Sequence, residues 1–184
     1  MFVRTERLLL RPGWTEDAPA LAAAIGDEAV LRNLAMAPCP YQVADAEAFL
    51  SRPIDPALPA LQIVARTGRS TRLIGGIGLH PGMLGDVELG YWIARPYWGL
   101  GFATEAGHAM IALAHGSLRL KRIAAGHFLD NPASGCVLRK LGFRPSGEVV
   151  SRHSVGRSGA APYLPFVRDV RDEVPAPDMR ALAA

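Results

Sequence analysis

The chain has 184 residues, of which 49% are hydrophobic and 20% are charged, and its formal net charge at pH 7 is +3. This length suits one domain with a sizeable apolar core, and the composition is ordinary for a soluble α/β protein. No apolar run reaches the roughly 18 residues of a membrane-spanning helix, and the N-terminal segment lacks a secretion-signal pattern. We therefore expect a cytoplasmic protein that makes no membrane contact.

In chain order, the first half predicts a strand at residues 3–11, a helix at 15–25, a helix at about 45–51, and a hairpin of strands at 61–66 and 73–79. Thr15 is the expected cap of the first helix. The second half predicts a strand at 87–93, a helix at about 103–118, a strand at 122–129, a helix at 133–141, and strands at 147–153 and 164–170. We expect a single domain over residues 1–172 and a frayed tail over 173–184.

Neither the cysteines nor the histidines predict a metal site. Cys39 and Cys136 lie far apart without a CxxC pair, so we expect neither zinc nor a disulfide framework, and we interpret Cys136 as a small buried apolar residue. The five histidines form no HExxH motif. We interpret them as structural or surface residues: His80, His108, His115, His127 and His153.

Residues 87–107 read as a strand, a turn with two glycines and the start of a helix. Gly99 and Gly101 permit positive φ or close backbone approach, and an alanine-rich helical pattern begins near Ala103. Such a junction directs free backbone N–H groups and the positive end of a helix dipole at one place, which suits a phosphate. Two glycines after a strand also often form only a turn, so both interpretations stay open at this point.

The neighbouring residues limit which phosphate ligand this junction could bind. No Lys-Ser or Lys-Thr pair follows the second glycine, which excludes a nucleotide-hydrolysing P-loop, and the third glycine of a dinucleotide-binding fold is missing. A pyrophosphate site made of main chain alone remains. Coenzyme A carries such a pyrophosphate.

The segment resembles the acyl-CoA-binding motif of the GNAT N-acetyltransferase superfamily, which runs Gln or Arg, any two residues, Gly, any residue, and Gly or Ala. Here it occupies residues 98–103, with Trp98 in place of Gln or Arg. This variant is typical of the RimJ/RimL branch, which includes ribosomal-protein-alanine N-acetyltransferases. The opening TERLLLRP and the later DNPAS and VLRKLGFRPSGE resemble the same branch, so the resemblance covers roughly residues 3–170.

This resemblance implies the GNAT fold, a mixed and mostly antiparallel sheet of about seven strands flanked by helices. The fourth and fifth strands would pair in parallel and splay apart, leaving a V-shaped cleft in which pantetheine binds to main chain. Acetyl-CoA would be the co-substrate, and no metal is expected. The residues expected to contact it are Ile93, Ala94, Trp98, Gly99, Leu100, Gly101, Phe102, Ala103, Thr104, Asn131 and Ser134.

Two side chains are candidates for catalysis. Glu88 interrupts an apolar strand and is our candidate for the general base, either directly or through a water. It could instead be a structural carboxylate or lie at a solvated strand end. Many GNAT proteins use a helix tyrosine as the acid, but Leu138 stands at that position. The resemblance implies Ser134 as the substitute, and Asn131 and Ser134 could also be only a turn residue and a helix N-cap.

Six basic residues lie between residues 107 and 147 against a single acid, Asp130; they are Arg119, Lys121, Arg122, Arg139, Lys140 and Arg144. They could help to hold the phosphorylated adenosine of coenzyme A or form a solvated face. Because the stretch lacks exposed aromatic residues between the basic ones, we expect no direct nucleic-acid binding.

The function predicted first is an acetyl-CoA-dependent N-acetyltransferase that acts on a protein N-terminal amine or a small amine. The alternatives are a non-catalytic acyl-CoA-binding or regulatory module and a nucleic-acid-associated protein. The acceptor itself is not predicted, but its pocket is expected at residues 38–41, 84–86 and 156–163, where Arg152 and Arg157 could favour an acidic acceptor. The family also suggests a homodimer.

Overall fold

We describe the protein from a computed structural model, which describes residues 1–66, 71–82 and 85–170. These residues form one sheet whose strands are β1 (Val3–Arg4), β2 (Leu8–Arg11), β3 (Ala60–Ala65), β4 (Arg72–Pro81), β5 (Val87–Ile93), β6 (Arg122–Phe128), β7 (Arg144–Pro145), β8 (Val150–Ser154) and β9 (Gly159–Asp169). The strand order is β1-β2-β3-β4-β5-β6-β9-β7, with β8 also paired to β9. Every pairing is antiparallel except β5–β6. The predicted mixed, mostly antiparallel sheet is confirmed.

Helices cover both faces of the sheet: α1 (Ala18–Ile25), α2 (Glu28–Leu31), α3 (Val43–Leu50), α4 (Phe102–Gly116) and α5 (Pro132–Lys140). α4 and α5 bury apolar side chains such as Met110 and Leu138 in one core with Leu89 of β5. α1, α2 and α3 pack on the opposite face around Trp92 of β5. Because successive strand side chains alternate, β5 presents Leu89 and Tyr91 to one helix layer and Glu88 and Trp92 to the other.

β5 and β6 pair only near their first residues. The parallel register joins Glu88 to Ala124 alone, whereas β5 pairs with β4 along its whole length, from Val87 to Ile93. The later residues of β5 therefore face β6 across an opening. This opening matches the V-shaped cleft that the family resemblance implies.

The N-terminal elements differ from the prediction in two ways. Residues 3–11 are not one strand but the hairpin β1–β2, because Thr5 N–H donates to the Leu8 carbonyl and Leu8 N–H donates to Thr5 Oγ1, each at 3.0 Å. Thr15 does not cap a helix. It begins a short 3-10 turn, Thr15–Asp17, in which the Asp17 carboxylate accepts from Trp14 N–H at 2.8 Å, and α1 starts at Ala18.

Toward the C-terminus, β9 starts at Gly159, so most of the predicted loop at residues 156–163 is strand. The sequence of that stretch indicates a loop because it contains Gly156, Gly159 and Pro162. The short elements α2 and β7 were not predicted. β7 and the division of residues 3–11 into β1 and β2 raise the strand number from the predicted seven to nine. The predicted turn at residues 67–70 and the tail at 173–184 lie outside the described residues. Within the described part, no helix is long and apolar enough to cross a bilayer.

Candidate active site

α4 begins in a turn whose main-chain N–H groups are free. Gly99 and Gly101 have φ of 76° and 83°, which other residues rarely adopt. Apart from its chain neighbours, no described residue has a heavy atom within 4 Å of where a Gly99 Cβ would be. Among the hydrogen bonds between described residues, none is donated by an N–H of residues 99–104, whereas Trp98 N–H donates to the Arg95 carbonyl. The predicted main-chain pyrophosphate site therefore narrows to residues 99–104, which we call the cradle; their free amides at the start of a helix fit a diphosphate.

An ion pair that sequence reasoning missed fixes this turn to the N-terminal hairpin. The Arg7 Nε donates to Glu105 Oε2 at 2.7 Å, and the Arg7 Nη1 donates to the Leu100 carbonyl at 3.0 Å. Arg7 N–H and the Thr5 hydroxyl also donate to Glu105 Oε1. Burial alone would raise the pKa of Glu105, but these hydrogen bonds and the Arg7 charge hold it below its ordinary value.

Glu105→Gln is expected to lower the thermal unfolding midpoint at neutral pH and to matter less in acid. Because the folded pKa lies below the ordinary value of 4.5, the carboxylate stabilises the fold above about pH 4.5, and this stabilisation is lost as the pH falls through the folded pKa. Melting curves of both proteins from about pH 7 to about pH 3 should converge. Glu6→Gln, at an exposed acid of the same hairpin, is the control; a Glu105→Gln deficit that persists in acid would contradict the electrostatic explanation.

The indole of Trp98 ties the turn to the end of β5. Its Nε1 donates to the Ile93 carbonyl at 2.6 Å, and Ala94 N–H donates to the Ile74 carbonyl at 2.8 Å. The Ile93 carbonyl and the Ala94 N–H, which were predicted to contact pantetheine, are therefore already hydrogen-bonded within the protein. The second lone pair of the Ile93 carbonyl remains for pantetheine. Trp98 is the residue that departs from the family pattern, and here it positions the strand end.

Ser134 forms a hydroxyl pair with Tyr91, a partner that the sequence did not reveal. The two side-chain oxygens lie 2.8 Å apart, and the Tyr91 hydroxyl oxygen also lies 3.2 Å from the Ser134 carbonyl. When the single Tyr91 proton is donated to Ser134 Oγ, the Ser134 proton is free for another acceptor. Asn131 is the N-cap of α5 and accepts from Ser134 N–H at 3.3 Å, so Ser134 itself is not the cap. Burial raises the pKa of Tyr91 to about 12, partly offset by its hydrogen bond to Ser134. Tyr91 therefore stays protonated and able to donate.

Glu88 is 7% exposed and belongs to a buried ion pair. Its Oε1 accepts from Arg152 Nη1 at 2.6 Å and from the Tyr163 hydroxyl at 2.9 Å. The Arg152 guanidinium also lies over the Tyr163 ring, 4.5 Å from its centroid. Burial and the Glu88 charge both raise the pKa of Tyr163. Burial lowers the pKa of Arg152, but the hydrogen bond to Glu88 outweighs burial, so the pKa of Arg152 lies above its ordinary value. Both partners keep their protons, so they hold Glu88 as an ion-paired carboxylate.

The two catalytic candidates lie on opposite faces of the sheet. Ser134 meets Tyr91 on the side of α4 and α5, whereas Glu88 points to the other side, as the alternation along β5 requires. The opening between β5 and β6 joins the two sides. A thioester could thus be held on the face of α4 and α5 and be reached by an amine from the other face, which we call the acceptor face.

A comparison with known protein families shows which family the chain belongs to. The model for the acetyltransferase (GNAT) domain matches residues 7–144, which is more than half of the chain. The chain belongs to the GNAT acetyltransferase family.

Individual relatives agree. The uncharacterized N-acetyltransferase YoaA of Bacillus subtilis (strain 168) is 30% identical over 160 residues, covering 79% of this chain and 84% of YoaA. A GNAT-family acetyltransferase structure from Bacillus anthracis has a TM-score of 0.77 at 21% identity, covering 94% of this chain and 100% of that one. RimL, the ribosomal L7/L12 alpha-N-protein acetyltransferase in complex with coenzyme A, has a TM-score of 0.74 at 16% identity, covering 92% and 98%. At such identities these structures show the fold.

The predicted family and enzyme class are thus confirmed. The chain is an N-acetyltransferase, and GNAT acetyltransferases take the acetyl group from acetyl-CoA. This result favours the enzyme over the non-catalytic module that the sequence left open.

Both arginines that could have favoured an acidic acceptor in this GNAT enzyme are paired with acids. Arg152 binds Glu88, and Arg157 donates two hydrogen bonds to Asp130, at 2.8 and 2.7 Å. Arg32 also binds Asp130 at 2.7 Å. The two ion pairs of Asp130 connect the end of α2 and the turn after β8 to the loop that leads into α5. The charges of Arg152 and Arg157 are therefore balanced within the protein.

The six residues of the basic stretch lie in three places, one of which is Arg144 on β7, 3.8 Å from Asp169. Arg119, Lys121 and Arg122 follow the far end of α4, about 22 Å from the glycine turn at 1.5 Å per residue, so they lie at the wrong end for the diphosphate. Arg139 and Lys140 end α5, next to Leu141, which packs on Gly107 near the start of α4. These two remain candidates for the phosphorylated adenosine.

Two smaller expectations concern cysteine and metal. Cys136 is exposed on α5, so its interpretation as a buried apolar residue is wrong; the helix turns that position outward while Gly135 and Leu138 face the core. Among the described residues, no group of three or more His, Cys, Asp or Glu side chains is placed to hold a metal ion.

Proposed function

We propose that this N-acetyltransferase binds acetyl-CoA with the diphosphate on the amides of residues 99–104 and transfers the acetyl group to the α-amine of a protein N-terminus. The observation that carries the donor site is the run of free N–H groups at the start of α4, with two glycines at positive φ. The likeness in fold to RimL, an alpha-N-protein acetyltransferase, supports the acceptor class. A cytoplasmic location and a homodimer stay predictions.

The main-chain amides and side chains that bind acetyl-CoA lie on one face of the sheet, and those that meet the acceptor amine lie on the other. When bound, acetyl-CoA supplies an activated thioester. The amides of residues 99–104 would anchor the diphosphate, with Asn131 and the hydroxyl pair of Ser134 and Tyr91 near the thioester end. Ser134, held by Tyr91, would donate a hydrogen bond to the leaving sulfur. A thiol has a pKa of about 8.5, so full protonation by the enzyme is hardly needed.

An N-terminal acceptor suits this modest catalytic equipment. An α-amine has a pKa of about 7.7 to 8.0, whereas a lysine amine has about 10.4, so far more of the α-amine is neutral near pH 7. Glu88 was predicted as the base, but its Oε1 already accepts from Arg152 and Tyr163. We propose that Glu88 chiefly holds these two side chains in place on the acceptor face.

The test is release of thiol from acetyl-CoA in the presence of peptides with free N-termini, the same peptides with blocked N-termini, polyamines and aminoglycosides. Mass spectrometry then locates the acetyl group. We expect acetylation of the α-amine and none of the blocked peptides. Turnover with polyamines or aminoglycosides alone would contradict the proposed acceptor class while leaving the donor site intact.

Ser134→Ala is expected to lower the rate of acetyl transfer several-fold and to change the dissociation constant of coenzyme A little, because the hydroxyl acts on the leaving sulfur. Tyr91→Phe should have a smaller effect in the same direction, since it only frees Ser134 to rotate. Single-turnover kinetics separates the chemical step from binding. Unchanged single-turnover rates in Ser134→Ala would remove this hydroxyl from the mechanism.

A further inference from the structure

His80 is a titratable side chain on the acceptor face that the mechanism above does not use. It lies on β4 directly opposite Glu88 of β5, so the two side chains point to the same side of the sheet. Its ring extends over Gly90, where an added Cβ would lie 3.0 Å from His80 Nε2 and 3.4 Å from Cδ2. A residue with a side chain at position 90 would displace the imidazole, so the glycine makes room for it.

This place is beside the opening through which the thioester must be reached. Pairing of β5 with β6 ends at Glu88. Gly90 lies two residues further along, in the part of β5 that pairs with β4 but not with β6. The next residue, Tyr91, points to the other face and contacts Ser134. His80 Nε2 therefore lies at the mouth of the cleft, on the face opposite the hydroxyl pair.

The hydrogen bonds of His80 leave Nε2 as an acceptor. Nδ1 lies 3.1 Å from the Pro81 carbonyl, and because a carbonyl only accepts, the neutral ring carries its proton on Nδ1. No donor among the described residues bonds Nε2. Among the described residues, the titratable group directly opposite His80 is Glu88 of β5, whose partners are Arg152 and Tyr163. Asp86 lies two residues before Glu88, in the turn between β4 and β5, where its carbonyl accepts from Gly82 N–H. Arg152 and Tyr163 both bind Glu88 through Oε1, and the Arg152 charge balances that carboxylate. His80 Nε2 offers a lone pair that is not part of this ion pair.

We propose that His80 Nε2 is the base that removes a proton from the ammonium form of the acceptor. This inference rests on the proposed transfer to an amine. The ammonium N–H bond breaks and its proton moves to Nε2; the neutral nitrogen then bonds to the acetyl carbon as the carbon–sulfur bond breaks. The departing thiolate takes the second proton of the nitrogen to give free coenzyme A, and His80 returns its proton to solvent. The net change is ammonium plus thioester to amide, thiol and one proton.

The test is the pH dependence of kcat/KM for an N-terminal peptide in His80→Gln, with His115→Gln, at an exposed histidine near the end of α4, as the matched control. We expect His80→Gln to lose roughly tenfold or more at about pH 6.5 and to approach the wild type above about pH 8.5, where the α-amine is already neutral. His115→Gln should follow the wild type throughout. In His80→Ala, added imidazole should restore part of the low-pH rate, and coenzyme A affinity should be unchanged in every variant.

A His80→Gln profile that is equal to the wild type, or lowered by the same factor at every pH, would overturn the role of His80. A wild-type enzyme that acetylates no α-amine at any pH would instead overturn the proposed function, and this inference with it. The wild-type measurement thus separates the two failures.

Discussion

Thr104→Asp is expected to abolish measurable coenzyme A binding while leaving the fold intact. Thr104 is the third residue of α4, within the cradle of residues 99–104. A carboxylate there would share the cradle with the bound diphosphate, and two like charges about 4 Å apart near a surface repel by about 4 kcal/mol. We therefore expect at least a hundredfold loss of affinity, since about 2.7 kcal/mol corresponds to that factor.

The same substitution should not harm the helix, because an acid in the first turn stabilises it by about 0.3–1 kcal/mol. Thr104→Asn introduces a side chain of the same shape as aspartate but without its charge, so it serves as the control. Calorimetric titration with coenzyme A should show no heat for Thr104→Asp and near-normal heat for Thr104→Asn, with melting temperatures at or above the wild type for Thr104→Asp. Equal binding by the two variants would mean that the diphosphate lies elsewhere.

Arg152→Met is expected to destabilise the fold by about 3–5 kcal/mol, because it leaves the buried Glu88 charge with the neutral Tyr163 hydroxyl but without a cationic partner. The two side chains of this ion pair are 15% and 9% exposed. The double variant Glu88→Leu with Arg152→Met removes both charges and should recover part of that loss. Urea unfolding of the single and double variants measures the coupling.

A surface ion pair on the same sheet provides the control for this cycle. Arg144 and Asp169 lie 3.8 Å apart with side chains 77% and 56% exposed, so Arg144→Met should cost no more than about 1 kcal/mol. If Arg152→Met were as mild as Arg144→Met, the pair would not hold Glu88 in place. A double variant no more stable than Arg152→Met alone would contradict the argument from the unpaired charge.

The features of the site that lie close together in the sequence could be predicted. The strand, the two glycines and the start of α4 are one continuous stretch, and local chemistry alone indicates the positive φ and the free N–H groups there. The parallel pairing of β5 with β6 also follows from the intervening helix, which must cross over between them.

The features of the site that depend on residues distant in the sequence could not be predicted from it. A buried carboxylate such as Glu88 requires a cation, but nothing in the sequence says that Arg152 on β8 supplies it. Likewise, Leu138 shows only that the usual helix tyrosine is missing; that Tyr91 reaches Ser134 from β5 depends on how α5 docks on the sheet. His80 could be interpreted only as a structural or surface residue, because its place over Gly90 depends on the register of β4 with β5.

The most direct test of the donor site is a titration of the isotope-labelled protein with coenzyme A, followed through the backbone amide resonances. We expect the amides of residues 99–104 to shift most and to exchange more slowly with solvent, and pantetheine, which lacks the diphosphate, to leave them unchanged. Binding of coenzyme A that moves other amides and not these would contradict the account.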